Sequence, residues 1–135
     1  MKGKSSRGQS ILEMALVTPL LLLLLVGVID VGRAMAVKIA VTNASREGAR
    51  YGSWYPGDYA GIADACQFEL ELNNLDAGTA EVTIVPGPGQ SKATSGEAIE
   101  VTVTMNMNTF VGGLIGVDTI TVRSGTQMIV FGTDD

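Results

Sequence analysis

A long apolar run near the N-terminus is the strongest pattern in this sequence. Between Met14 and Ile29 there is no charged residue. Counted from Ile11, the run is about 19 residues long, or roughly 28 Å as a helix, which is close to the hydrocarbon thickness of a bilayer. Pro19 lies inside the run, where a membrane helix tolerates it if neighbouring groups cover the freed carbonyl. The pattern predicts one transmembrane helix over residues 9–29.

The helical period continues beyond the apolar run. From Asp30 to Gly52 there are few helix breakers, and small or apolar residues recur on a helical stripe: Val31, Ala34, Met35, Val41, Ala44 and Ala49. We therefore expect the membrane helix to continue outside the bilayer, with Ala44 and Gly48 allowing close approach by a sheet or another helix. Pro56 and the glycines of residues 52–61 end this helix.

A second helix is predicted from about Asp58 to Asn73. Its apolar side chains recur at helical spacing: Tyr59, Ile62, Ala63, Cys66 and Leu70. The alternation within residues 68–72 would also suit a strand, but the longer period favours a helix. The aromatic residues at the elbow, Trp54, Tyr55 and Tyr59, either cover the core or form an anchor or subunit contact.

After Gly78 the apolar period changes to two, which is typical of strands with one buried face. Strands are expected at residues 80–85, 97–107 and 117–131, the last either bent or turned into a hairpin at Ser124-Gly125. The glycine-rich residues 112–116, with Phe110 and Val111, are expected to form a loop that touches the membrane or a subunit, or folds over the sheet edge. The fold class is α+β, with two helices packed on a three-stranded antiparallel sheet.

The charge distribution predicts how the chain is oriented. Lys2, Lys4 and Arg7 precede the apolar run, whereas eleven acidic residues stand against two basic ones from Asp58 onward. Basic residues beside a membrane segment favour the cytoplasmic side. We therefore expect a cytoplasmic leader, residues 1–8, and an exported domain, residues 30–135, in a single-pass bacterial inner-membrane protein. The acidic domain argues against a nucleic-acid partner.

The sequence offers no catalytic, metal or cofactor site. Histidine is absent, and Cys66 is the only cysteine. Because Cys66 lies on the apolar stripe of the second helix, it is expected to be a buried structural thiol. The glycine-rich residues 112–116 lack the lysine of a phosphate-binding loop. The sequence therefore predicts a protein that is not an enzyme.

Glu13 is unexpected at the start of a membrane helix. A carboxylate in hydrocarbon costs about 2.5 kcal/mol or more unless it is neutralised, paired or able to reach the interface. Glu13 either reaches the headgroups or pairs with a cation. Cleavage after Gly8 would provide that cation as the free amine of Gln9, on the same or a neighbouring subunit. A secretory signal peptide, with Ala34-Met35-Ala36 at its end, is the alternative.

The N-terminal part of the chain, residues 8–52, resembles a known family. Gly8 followed by Gln9-Ser10-Ile11-Leu12-Glu13 and an apolar helix is similar to the leader of type IV pilins and pseudopilins. Residues 8–52 resemble TadE-like proteins, the pseudopilin components of tight-adherence (Flp) pilus systems. Shared features are the glutamate, the proline in the span, the polar exit at residues 30–33 and the small-residue helix at residues 42–51. Met14 stands where the family usually has an aromatic residue.

The resemblance implies a structural role in a pilus. It implies a pilin-like head and cleavage between Gly8 and Gln9 by a prepilin peptidase. That cleavage would provide the amine with which Glu13 is expected to pair between subunits. The lipid bilayer, the peptidase, other pilin or pseudopilin subunits and the assembly machinery are the implied partners. The expected function is therefore that of a non-catalytic minor pseudopilin. A secreted or membrane-anchored binding domain with an ordinary signal peptide or anchor is the alternative.

Overall fold

The computed structural model describes residues 6–131, which form an α+β fold. Its elements in chain order are α1 (Ser6–Trp54), α2 (Tyr59–Leu72), β1 (Ala80–Val85), β2 (Ala98–Asn108), α3 (Gly112–Ile115) and β3 (Thr119–Ile129). The strands form one antiparallel sheet in the order β1-β2-β3. The predicted fold class, the long first helix and the second helix are confirmed.

α1 is one helix of 49 residues that contains Pro19. Its first half projects from the rest of the protein, whereas its second half packs against β2, β3 and α2. The packed face begins with the half-buried Ala34 and continues through Val37, Ala40, Val41 and Ala44, which are buried. The predicted stripe is wrong at Val31 and Met35, which are 62% and 64% exposed. They lie on a face of α1 that neither the sheet nor α2 covers.

Gly48 brings α1 and α2 into close contact. A Cβ atom added there would clash with Sγ of Cys66 and would lie 3.1 Å from Val101 Cγ1 and 3.4 Å from the Ile62 carbonyl oxygen. The predicted close approach at Gly48 is therefore confirmed. Overpacked cores typically lose about 1–3 kcal/mol, so even an alanine at this position would be destabilising.

The elbow between the helices is held by Asp58. This residue caps α2, because its Oδ1 accepts a hydrogen bond from the Gly61 amide at 3.0 Å. The hydroxyl of Tyr51 donates to Oδ2 of Asp58 at 2.8 Å. α2 buries Ile62, Cys66 and Leu70 against α1. Residues 68–72 are helical, so the strand alternative for this segment is wrong.

The sheet packs on the helices with one face. On β2 the odd-numbered residues Ile99, Val101 and Val103 are fully buried, and Glu100 and Asn106 are exposed. Val103 pairs with Val82 of β1 and with Ser124 of β3. The period-two pattern therefore predicted both the strand and its buried face.

The middle of β3 contacts α1 through hydroxyl groups. Ser45 Oγ lies 2.8 Å from Thr126 Oγ1, and Thr42 Oγ1 donates to Ser124 Oγ at 3.2 Å. Ser124 and Thr126 lie on the same face of β3 as Val122 and Met128, where apolar side chains would otherwise be expected. β3 continues through Ser124 and Gly125 as one strand paired with β2, so the hairpin alternative is wrong.

Two of the three elbow aromatics are largely exposed, whereas Tyr59 is half-buried. Trp54 and Tyr55 are 57% and 59% exposed, and the Trp54 ring lies 6.4 Å from the ring of Phe131. These side chains lie at the end of the domain opposite to the apolar half of α1. Between β2 and β3, the predicted loop contains the one-turn helix α3.

Candidate functional site

The predicted processing site lies at the free end of α1. Gly8 and Gln9 fall within the first turns of the helix and are exposed. Glu13 is one turn after Gln9, on the same face of the helix. The structure shows no hydrogen bond or ion pair from the Glu13 carboxylate to any side chain that it describes. Residues 1–5 of the predicted leader lie outside the described residues.

The apolar half of α1 has the properties of a membrane span. Among residues 6–131, α1 is the one helix long and apolar enough to cross a bilayer. The core helix of a soluble protein meets the same criteria but is mostly buried, whereas only 6% of the most apolar window of α1 is buried. Ile11, Leu16, Leu20 and Leu24 are each more than 60% exposed. In water this surface would be strongly unfavourable, so the helix fits a membrane anchor.

A clasp joins the end of the apolar run to the loop between β2 and β3. Both Asp30 carboxylate oxygens accept hydrogen bonds from the Phe110 amide, at 3.1 and 2.8 Å, and Oδ2 also accepts from the Val111 amide at 2.8 Å. Asp30 is only 7% exposed. One guanidinium nitrogen of Arg33 lies 3.7 Å from Asp30, and the Arg33 guanidinium carbon lies 4.6 Å from the centre of the Phe110 ring. We call these four residues the Asp30 clasp.

The clasp stabilises the ionised form of Asp30. The amides of Val111 and Phe110, and then the charge of Arg33, hold the pKa of Asp30 below its ordinary value of 3.8, against the opposing effect of burial. Two backbone donors aimed at one carboxylate form charge-assisted hydrogen bonds, which are stronger than neutral ones. The clasp therefore fixes the domain against the helix at the point where the apolar run ends.

Sequence reasoning did not find this clasp. Asp30 and Arg33 were recognised as a polar exit from the apolar run. Their partners lie about eighty residues later in the chain and contribute backbone amides, which leave no signal in residue identity. The available hint was the position of Asp30, a single carboxylate directly after the long apolar run.

The structure also places Glu47, Arg50 and Cys66 as predicted. Glu47 and Arg50 form an exposed ion pair on α1, as predicted for a solvated face. Cys66 is fully buried, and burial raises the pKa of its thiol to about 11. Such a thiol is almost entirely protonated near neutral pH and is a poor nucleophile. Among the described residues, no group of three or more His, Cys, Asp or Glu side chains could hold a metal ion.

We expect Asp30→Asn to lower the thermal unfolding midpoint of the full chain in detergent by several degrees at pH 7. An amide accepts hydrogen bonds more weakly than a carboxylate, and it loses the attraction to Arg33. Because the folded pKa of Asp30 is depressed, its stabilisation is present above the ordinary value of 3.8 and is lost as the pH falls through the lower folded pKa. The midpoints of the variant and the unsubstituted chain should therefore converge in acid.

The matched control is Asp118→Asn. Asp118 is an exposed carboxylate at the end of the same loop, and its side chain takes no part in the clasp. Near-UV circular dichroism against temperature, measured from neutral to acidic pH, would provide the midpoints. Glu47, Asp58 and Glu97 also have depressed pKa values, so the difference between variant and parent is the relevant quantity. Equal effects of Asp30→Asn and Asp118→Asn would contradict a stabilising clasp.

The family comparison concerns the same part of the chain. Residues 8–50 match the family model described as TadE-like protein. The match confirms the resemblance, and its range includes the predicted cleavage motif, the apolar run, the polar exit and the beginning of the packed helix. The TadE-like segment is about a third of the chain and does not include α2 or the sheet.

Comparison with curated proteins gave no match, and comparison with solved structures gave none either. The segment contains Asp30 and Arg33, whereas the amides that bind Asp30 lie outside it. The clasp therefore joins the TadE-like segment to a part of the chain that the family model does not cover.

Proposed function

We propose that this chain is a non-catalytic minor pseudopilin that takes part in assembly of a tight-adherence (Flp) type pilus. The observation that carries the proposal is the long α1 helix, whose first half is an exposed apolar span and whose second half is the spine of the head domain. Pilin-like subunits need such a helix because one end is held in the bilayer while the other carries a folded domain. The TadE-like match over residues 8–50 supports this assignment.

The proposed organisation follows the charges and the apolar run. Residues 1–8 form a cytoplasmic leader, residues 9–29 cross the inner membrane, and residues 30–135 form the exported domain. The basic residues before the span favour this orientation. A prepilin peptidase then cuts between Gly8 and Gln9. This bond lies near the free end of α1, where a helix unwinds easily because its first amides have no intrahelical partners.

The continuity of α1 argues against the signal-peptide alternative. The bond after Ala36, where a signal peptidase would cut, lies inside the uninterrupted helix, and Val37 is buried in the core. A cut at that bond would also release Asp30, and the clasp would be lost with it. Cleavage after Gly8 leaves the core and the clasp intact.

Glu13 has the proposed role of pairing subunits. Its carboxylate has no partner among the side chains described in the structure, and it lies one turn from Gln9. After cleavage the new α-amine of Gln9 becomes a cation at the membrane boundary. A packed neighbour could then supply the charge that a carboxylate near hydrocarbon requires.

The proposal is tested in the native host by removing the chain. Cells without it should display fewer surface pili, and the unsubstituted chain should restore them. Intact-mass measurement of the membrane-bound protein should give a mature chain that begins at Gln9. Two results would instead support the secreted or anchored binding domain. The mature chain would begin at Val37, and cells without the protein would display the normal number of pili.

A further inference from the structure

The loop between β2 and β3 exposes apolar surface at the membrane end of the domain. We call residues 109–118 the exit loop. Phe110 and Val117 are 62% and 49% exposed, and Ile120, just after the loop, is 40% exposed. The sequence from Thr109 to Val117 contains no charged residue. In an otherwise acidic domain, an exposed apolar loop is unfavourable in water and indicates a contact with another apolar phase.

The exit loop lies beside the last turn of the apolar run. It shares a shallow cleft with Gly27 and Asp30, formed by Thr109, Val111 and Val117. From Glu13 to Asp30 the helix rises roughly 26 Å, slightly less than the ~30 Å of a bilayer's hydrocarbon. With Glu13 at the inner boundary, Asp30 and the loop beside it would therefore fall at the outer edge of the hydrocarbon.

The backbone of the exit loop is suited to this position. The amides of Phe110 and Val111 donate to Asp30, the Thr109 amide donates to the Asp118 carbonyl at 3.0 Å, and the Val117 amide donates to the Gly112 carbonyl at 2.9 Å. Non-helical backbone is costly near hydrocarbon unless its polar groups are paired within the protein. These four amides have partners.

Gly112 makes the compact shape of the loop possible. A Cβ atom added there would clash with the Val117 carbonyl oxygen and with Oγ1 of Thr109. Thr109 Oγ1 donates to that same carbonyl at 2.8 Å. The glycine therefore allows the beginning and the end of the loop to lie in contact. In this compact loop Phe110 and Val117 are exposed.

The charges beside the loop fit a lipid headgroup region. Asp30 is neutralised by Arg33, whose guanidinium lies against the Phe110 ring and remains partly exposed. Near the end of a membrane span, an arginine side chain extends to the headgroup phosphates while apolar groups beside it enter the hydrocarbon. Asp118 is exposed where β3 begins and provides a polar border.

We propose that the exit loop inserts Phe110 and Val117 into the outer leaflet of the membrane that α1 crosses. The Asp30 clasp and this insertion together hold the head domain on the bilayer surface at a fixed angle to the helix. The inference rests on the membrane span of the proposed function. Continuity with the span, rather than exposure alone, identifies lipid as the ligand.

Tryptophan fluorescence in lipid vesicles tests the insertion. The native Trp54 lies 24 residues beyond Asp30 on α1, roughly 36 Å further along the helix, and serves as a reporter that should stay in water. We would compare the unsubstituted full chain with Trp54→Phe/Phe110→Trp and Trp54→Phe/Leu20→Trp. Each chain is placed in phosphatidylethanolamine–phosphatidylglycerol vesicles, with and without lipids brominated at the upper part of the acyl chain.

Brominated lipid should quench most of the emission of the Phe110→Trp chain, and acrylamide in the water should quench little of it. In the unsubstituted chain, acrylamide should quench Trp54 and brominated lipid should not. The Leu20→Trp chain reports on the span alone. If that chain is quenched by brominated lipid but the Phe110→Trp chain is not, the span stands and the loop insertion is wrong. Protection of Phe110→Trp from acrylamide without lipid quenching would mean that a second subunit covers the loop, which also overturns the proposal. If neither chain is quenched, both the span and the loop insertion are wrong.

Discussion

A Gly8→Leu chain is expected to remain as the full-length precursor in the native host. If the peptidase selects the residue before the cut for its small size, a four-carbon side chain would not fit, and pockets discriminate about 10–200-fold per methylene group. We therefore expect cleavage to slow by more than about 100-fold. Intact mass of the membrane-bound protein distinguishes the precursor from a chain that begins at Gln9.

The structure makes this substitution a clean test of processing. A Cβ atom added at Gly8 would meet no atom within 4 Å beyond its own turn of the helix, so the variant should fold and insert normally. Gly32→Leu is the matched control, because Gly32 also lies on α1 with no atom within 4 Å of an added Cβ. Gly32→Leu should be processed at the usual rate. Trimming of Gly8→Leu at the same bond would remove the proposed cleavage site.

Glu13→Gln is expected to leave membrane insertion intact and to reduce pilus assembly. An amide enters lipid more easily than a carboxylate, so insertion should not suffer. If Glu13 pairs with the amine of Gln9 on a neighbouring subunit, the substitution leaves that amine without its partner. The loss would be up to about 3–5 kcal/mol for a fully desolvated pair, and less near the interface.

Surface display of pili and crosslinking between subunits would measure this effect at equal membrane abundance. Cysteines placed at Leu16 and Leu20 suit the crosslinking, because these positions are 75% and 65% exposed on the span. The native Cys66 is fully buried and should not react. Glu71→Gln makes the same change on an exposed position of α2 and should have no effect. Unchanged crosslinking and piliation in Glu13→Gln would exclude the pairing role.

The helices and strands could be predicted because their signals are local. The apolar run, the helical spacing of Ile62, Cys66 and Leu70, and the alternation of β2 each follow from which side chains share a face. Pro56 and its neighbouring glycines marked the end of α1 for the same reason. The buried state of Cys66 and the close approach at Gly48 also followed, since both lie on apolar helical faces.

The arrangement of those elements was harder to predict. Val31 and Met35 lie on the predicted stripe, yet the sheet covers a different face of α1. The sequence allowed two interpretations of β3, one bent strand or a hairpin turned at Ser124-Gly125. Ser124 and Thr126 interrupt the alternating apolar residues of this strand. In the structure these hydroxyls contact Thr42 and Ser45 of α1. Such a polar contact forms only when folding places two distant segments side by side. The sequence of either segment alone does not predict it.

The sequence by itself determined the candidate membrane span, the candidate cleavage motif at Gly8 and Gln9, and the unexpected carboxylate of Glu13, because each depends on residue type and spacing within a few helical turns. Only the tertiary structure decided the Asp30 clasp and the placement of the exit loop beside the end of the span. The donors to Asp30 are backbone amides of Phe110 and Val111. Every residue except proline carries such an amide, so its role becomes visible only when folding brings it to its acceptor.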